Sequence, residues 1–240
     1  MCRERFSNYH HIKDNINELT QSTLSHIAQN LNDIHRSNIS HLKLDEDETS
    51  FYLIREILQE VRKIDNSIFE EYDEKFQYQK LLECYLQIFK AIKHIHHKDF
   101  YHGNINPSNI LINENNQAFL LDFGKSYFYE SLKTNSNQNI DERFYAPDQI
   151  KDVSNVDAKS DIYAFGLCIL KIFLDSLPEK NIKFENLYTY PRDLKRIFEA
   201  VTEQFDLEDK EKDLFALIQQ MTIEEPQNPY KLRGFRCGTS

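Results

Sequence analysis

Residues 101–112, YHGNINPSNILI, join a polar loop to a short apolar strand. Gly103, Asn104 and Asn106 crowd between His102 and Pro107, and Asn109 opens the apolar run. A second apolar run, 118-AFLL-121, follows the polar turn 113-NENNQ-117, so the pair reads as two short strands around a turn. Asn109 stands five residues after Asn104, and Asp122, the first residue of 122-DFG-124, stands thirteen after Asn109. An amide and a carboxylate therefore flank the two strands.

Outward from this stretch, composition limits what the chain can be. Its 240 residues suit one large domain or two small lobes sharing a core. Apolar residues make up 40%, with 17 Phe and 13 Tyr, enough to bury and enough to exclude disorder over the whole length. The formal charge is −10 and no dense Lys/Arg run occurs, which argues against a nucleic-acid partner. Cys2, Cys84, Cys168 and Cys237 lie far apart, matching neither a metal-ligand pair nor a disulfide framework, and read as reduced cytosolic thiols. The most apolar run, 163-YAFGLCILKIFL-174, is too short to span a bilayer and contains a lysine, so it predicts a buried helix and no membrane segment. The first residues, MCRERFSNYHHIKD, lack the apolar core of a signal segment, and the expected location is cytoplasmic.

All five glycines fall after residue 102, so no glycine-rich phosphate loop can lie before it. Leu24, Ile27, Leu31 and Ile34 mark one face of a helix within 15–35. Two strands are expected at 39-ISHLKL-44 and 51-FYLIREIL-58 around the acidic turn DEDETS, then a charged connection over 65–72. A long helix follows with Leu82, Tyr85, Leu86, Phe89, Ile92 and Ile95 on its apolar side. Residues 125–143 read as a long polar loop, 158–174 as an apolar helix, and the remainder as helices with acidic loops.

Four landmarks now stand in order. YHGNINPSNILI resembles the catalytic loop of eukaryotic protein kinases, His-Arg-Asp-x-x-x-x-Asn; 122-DFG-124 resembles their magnesium motif, 146-APD-148 their Ala-Pro-Glu motif, and 161-DIYAFG-166 the start of their central helix. The resemblance covers about residues 10–230. It implies an α+β, protein-kinase-like two-lobe fold with a reduced small α/β lobe and a mainly helical large lobe. Residues 1–58 would form the truncated small lobe and hinge, and 59–240 the large lobe.

Taken residue by residue, the resemblance implies lost chemistry. Asn104 occupies the position of the catalytic Asp, and an amide neither takes a proton at neutral pH nor steers a hydroxyl by charge; such a loss costs on the order of 10²–10⁴ in rate. Gly103 stands for the loop arginine, Asn106 for the loop lysine, and Asn228 for a late arginine whose partner is shortened here to Asp148. Asn109 and Asp122 match the magnesium ligands, an amide oxygen and a carboxylate suited to a hard cation, though both residue types also serve turn geometry. Lys13 is the candidate nucleotide lysine or a solvated surface lysine, since its partner glutamate aligns near the apolar Ile27. Arg55 falls at the gatekeeper position, where it would narrow an adenine pocket. Leu31, Leu42, His102 and Phe123 match the hydrophobic spine, and Asp161 matches the buried acid that fixes the catalytic-loop backbone.

The expectation is a catalytically inactive pseudokinase acting as a scaffold or interaction subunit, with ATP and Mg2+ bound weakly or not at all. A protein partner is expected over residues 1–58, where a helix face and strand edges would lack cover. The alternatives are a weak ATP-binding Ser/Thr protein kinase or a fragment of a longer kinase-domain protein.

Overall fold

A computed structural model describes residues 2–5, 42–46, 51–55, 61–65, 74–121, 141–152, 155–176 and 194–222. The helix expected within 15–35 lies outside them, as do Lys13, Leu31, Asp122, Phe123, Asn228 and residues 125–140 of the polar loop expected over 125–143, whose last residues enter the 3-10 turn Glu142–Phe144. The chain divides into two compact units that exchange segments along the sequence. One comprises Met1–Ile64, Ile68–His102 and Pro107–Gln138; the other comprises Asp65–Ser67, Gly103–Asn106 and Asn139–Ser240.

The first unit holds two three-stranded antiparallel sheets. In one, β1 (Cys2–Arg5), β2 (Leu42–Glu46) and β3 (Phe51–Arg55) are ordered β1-β3-β2. The apolar FYLIR strand is central and the charged CRER and LKLDE strands are edges. Glu46 pairs with Phe51 and Asp45 with Tyr52, so β2 runs on through two acids assigned by sequence to the turn. Strand β1 was not legible either, because CRER has no apolar alternation; its pairing with β3, Cys2 opposite Arg55, makes it a strand.

The other sheet is β4 (Val61–Lys63), β5 (Ile110–Asn113) and β6 (Ala118–Leu120), in that order. Here the expected strands NILI and AFLL form, with Ile110 opposite Leu120 and Ile112 opposite Ala118, all four buried on one face. Strand β4 is an unanticipated third member. It pairs Arg62 with Ile112, and the Ile64 N–H donates to the Ile110 carbonyl at 3.1 Å.

Helix α1 (Glu74–His96) packs on β6. Its buried stripe is Cys84, Tyr85, Ile88, Ala91, Ile92 and Ile95; Leu82, Leu86 and Phe89, expected on that face, are only half-buried. The Gln87 amide explains part of the shift, since it donates to the Asn116 carbonyl (3.0 Å) and accepts from the Ala118 N–H (3.0 Å), fixing which side of α1 meets the β5–β6 turn. The helix ends with Asp99 in the left-handed region (φ 57) and the Phe100 N–H donating back to the Ile95 carbonyl (3.1 Å).

The second unit is helical: α2 (Pro147–Lys151), α3 (Ala158–Ser176), α4 (Leu194–Gln204) and α5 (Asp209–Met221). Helix α3 is the apolar helix read from sequence, buried from Ser160 to Leu174 except at Lys171, which pairs with Asp175 one turn on. It begins at a reciprocal cap, with the Ser160 N–H donating to Asp157 Oδ1 (2.8 Å) and the Asp157 N–H to Ser160 Oγ (2.9 Å). Phe215 of α5 stacks on Phe173 (5.4 Å between centroids) and meets Phe198 of α4 edge-on (5.1 Å). Gly166 lets α3 and α5 approach closely: a Cβ there would lie 2.8 Å from the Met221 Cβ and 2.9 Å from the Thr222 Cγ2. Among the described residues no helix is long and apolar enough to cross a membrane.

Candidate functional site

The loop Gly103–Asn106 is built from the second unit. Gly103 has φ 72, a left-handed conformation that favours glycine. Its N–H donates to Asp161 Oδ1 at 2.7 Å, and its carbonyl accepts from Gln149 Nε2 at 3.1 Å. Asp161 and Gln149 are both 1% exposed. The acid expected to fix this loop therefore does so through a short charge-assisted bond to backbone. Gln149 was not anticipated, because nothing in APDQI distinguishes a buried hydrogen-bonding glutamine from a surface one.

Asn104 and Asn106 face each other. The Asn106 Nδ2 donates to the Asn104 carbonyl (3.1 Å) and to Asn104 Oδ1 (3.2 Å), and Asn106 is buried. The amide expected at the loop-lysine position thus bonds the amide expected at the catalytic-acid position. Asp148 is exposed and pairs with Lys151 at 3.0 Å within α2.

In the first unit, His102 is fully buried and its Nε2 lies 2.7 Å from the Leu121 carbonyl. A carbonyl only accepts, so Nε2 carries the proton and donates. The Leu121 N–H in turn donates to the Asn109 carbonyl at 2.8 Å. Both backbone groups of Leu121 are thus held, and the residue preceding Asp122 in the chain is bonded to Asn109. Asn109 closes the 3-10 turn Pro107–Asn109 and is buried. An amide oxygen there and a carboxylate at Asp122 would suit Mg2+ as hard oxygen donors. Arg55 ends β3, in register with Cys2 and Leu42.

The protein kinase domain family matches residues 7–230. The chain belongs to that family. The kinase-like fold class with a reduced small lobe and a mainly helical large lobe accordingly stands. Over 94 residues the chain is 36% identical to a probable serine/threonine-protein kinase of Dictyostelium discoideum, glkA, covering 39% of this chain and 20% of that protein. It is 30% identical over 130 residues to a probable inactive receptor kinase of Arabidopsis thaliana (51% and 19%). It is also 33% identical over 130 residues to a probable inactive serine/threonine-protein kinase of D. discoideum, samkD (52% and 23%). The matched part of the chain spans about a fifth of the length of these kinase relatives.

Proposed function

We propose that this protein keeps the kinase shape without phosphoryl transfer and serves as a scaffold or interaction subunit, a cytoplasmic pseudokinase. The observation that carries the reading is the Asn106–Asn104 pair. Phosphoryl transfer needs a group that orients the attacking hydroxyl and accepts its proton. Asn104 is an amide, and its Oδ1 already accepts the Asn106 amide. Gly103 and Asn106 leave two further charged positions neutral. Two of the relatives named above are described as inactive kinases, which favours the same reading.

ATP and Mg2+, if they bind, do so weakly through Asn109 and Asp122, with Lys13 and Arg55 as the candidate nucleotide contacts. One observation favours a second reading, a weak ATP-dependent Ser/Thr kinase: the Leu121 N–H, on the residue before the magnesium motif, is bonded to the Asn109 carbonyl. Purified protein given labelled ATP, Mg2+ and generic Ser/Thr substrates should transfer no label above a protein-free blank, and millimolar ATP should raise Tm by no more than about one or two degrees. Transfer that Asp122→Ala abolishes would establish the second reading instead.

We also propose residues 1–58 as a unit that docks a protein partner, with 59–240 as the supporting lobe. In support, β1 pairs with β3 on one edge, and among the described residues no strand pairs with its other edge. Limited proteolysis should cut before Phe51 in the isolated chain and spare that site in the native assembly.

A further inference from the structure

We infer that Gln149 is a positioning residue, clasping the 103–106 loop to the turn that opens α2. Its Nε2 donates to the Gly103 carbonyl (3.1 Å), while its Oε1 accepts from the Ala146 N–H (3.3 Å). With Asp161 on the Gly103 N–H, both backbone groups of Gly103 are held by side chains 46 and 58 residues away in sequence. Gly103 sits in the left-handed region, outside any helix or strand ladder that would otherwise fix it. The two side chains therefore set the conformation from which Asn104 projects.

A primary amide of this length offers a donor and an acceptor in one planar group at any pH. Leucine would fill the space and leave a buried carbonyl and a buried N–H unpaired. A carboxylate could accept from Ala146 but would face the Gly103 carbonyl oxygen with no proton to give. A protonated carboxyl could do both. The clasp does not depend on whether the chain transfers phosphate, and it links any displacement of the Ala146–Gln149 turn to the loop.

Hydrogen exchange of the full chain, read as protection factors corrected for intrinsic rates, tests the assignment. Gln149→Leu should lower protection of amides 103–106 by about tenfold or more while peptides from α3 keep theirs. Gln149→Met, similar in length but lacking both amide groups, should lower protection at 103–106 in the same way. Unchanged protection at 103–106 in both variants, or an equal loss through α3, would overturn the proposal.

Discussion

The β5–β6 turn and the 103–106 loop are both rich in asparagine, and they use it differently. In the turn, Asn113 Oδ1 accepts from the N–H groups of Asn115 (3.0 Å) and Gln117 (2.9 Å), its Nδ2 donates to Gln117 Oε1 (2.9 Å), and Asn116 takes φ 57. Every one of these bonds spans four residues or fewer. In the loop the Asn104–Asn106 pair is equally local, but the backbone that carries it is fixed by Asp161 and Gln149 from far along the chain. The asparagine bonds of the turn close within it, with Gln87 of α1 holding its outer carbonyl and N–H, whereas the loop's own backbone takes its shape from distant helices. An asparagine-rich stretch is thus readable as a turn when its partners lie inside it, and unreadable when they do not.

The contrast predicts unequal costs. Asp161→Ala should be the most damaging change, because it removes a charge-assisted bond and leaves the Gly103 N–H buried; a loss of about 3 kcal/mol in chemical denaturation is expected. A loss below about 1 kcal/mol would mean the loop holds itself as the turn does.

Beside Gln87, α1 gives the turn a second distant anchor, Cys84, and this one depends on pH. Cys84, fully buried, lies with its Sγ 3.7 Å from the Asn116 carbonyl, and burial, reinforced by Glu83, pushes its thiol from an ordinary 9.0 up to about 11. Because the folded value is the higher, the unfolded chain loses this proton first as pH rises. The stabilisation is therefore full below pH 9 and is lost as pH climbs toward 11, about 3 kcal/mol in all. Unfolding free energies across that window should fall in the wild type and fall less in Cys84→Ala. Equal slopes would remove Cys84 from the account.

Gly166→Ala probes the support beneath the loop, since α3 carries both Gly166 and Asp161. The added methyl would meet the Met221 Cβ, which cannot move without its helix, so the overpacking cost should exceed the gain in helix propensity by about 1–2 kcal/mol. A thermal scan showing Gly166→Ala as stable as wild type would indicate that α3 and α5 can separate freely. Smallest of all, Asn113→Ala should cost about 0.5–1 kcal/mol, as the freed N–H groups of an exposed turn reach water. Its faster hydrogen exchange should stay within 113–118, and spread into α1 would erase the distinction drawn above.

Much of this architecture was legible in the sequence. The strands NILI and AFLL and the apolar helix from 158 follow from alternation and composition, because each buries a pattern its own residues carry. His102 and Asp161 were readable through the landmark spacing and both are buried; Asp161 takes the loop backbone as expected, whereas the His102 bond to the Leu121 carbonyl was not anticipated. Strand β4 was not legible, since VRK offers one apolar residue in three and becomes a strand only by pairing with β5. The stripe on α1 was misplaced toward Leu82, Leu86 and Phe89 because periodicity marks an apolar arc without saying which part of it faces the sheet.

The sequence by itself determined the family, the amide in place of any carboxylate at residue 104, and the absence of any glycine before residue 103, since each is a matter of residue identity and order. Only the tertiary structure decided that Asn106 turns its amide onto Asn104, that CRER joins a sheet, and that Gln149 holds Gly103. Hydrogen bonds between groups 46 and 58 residues apart leave no periodic trace in the chain, because the pairing is made by the packing of helices and not by any local conformational preference.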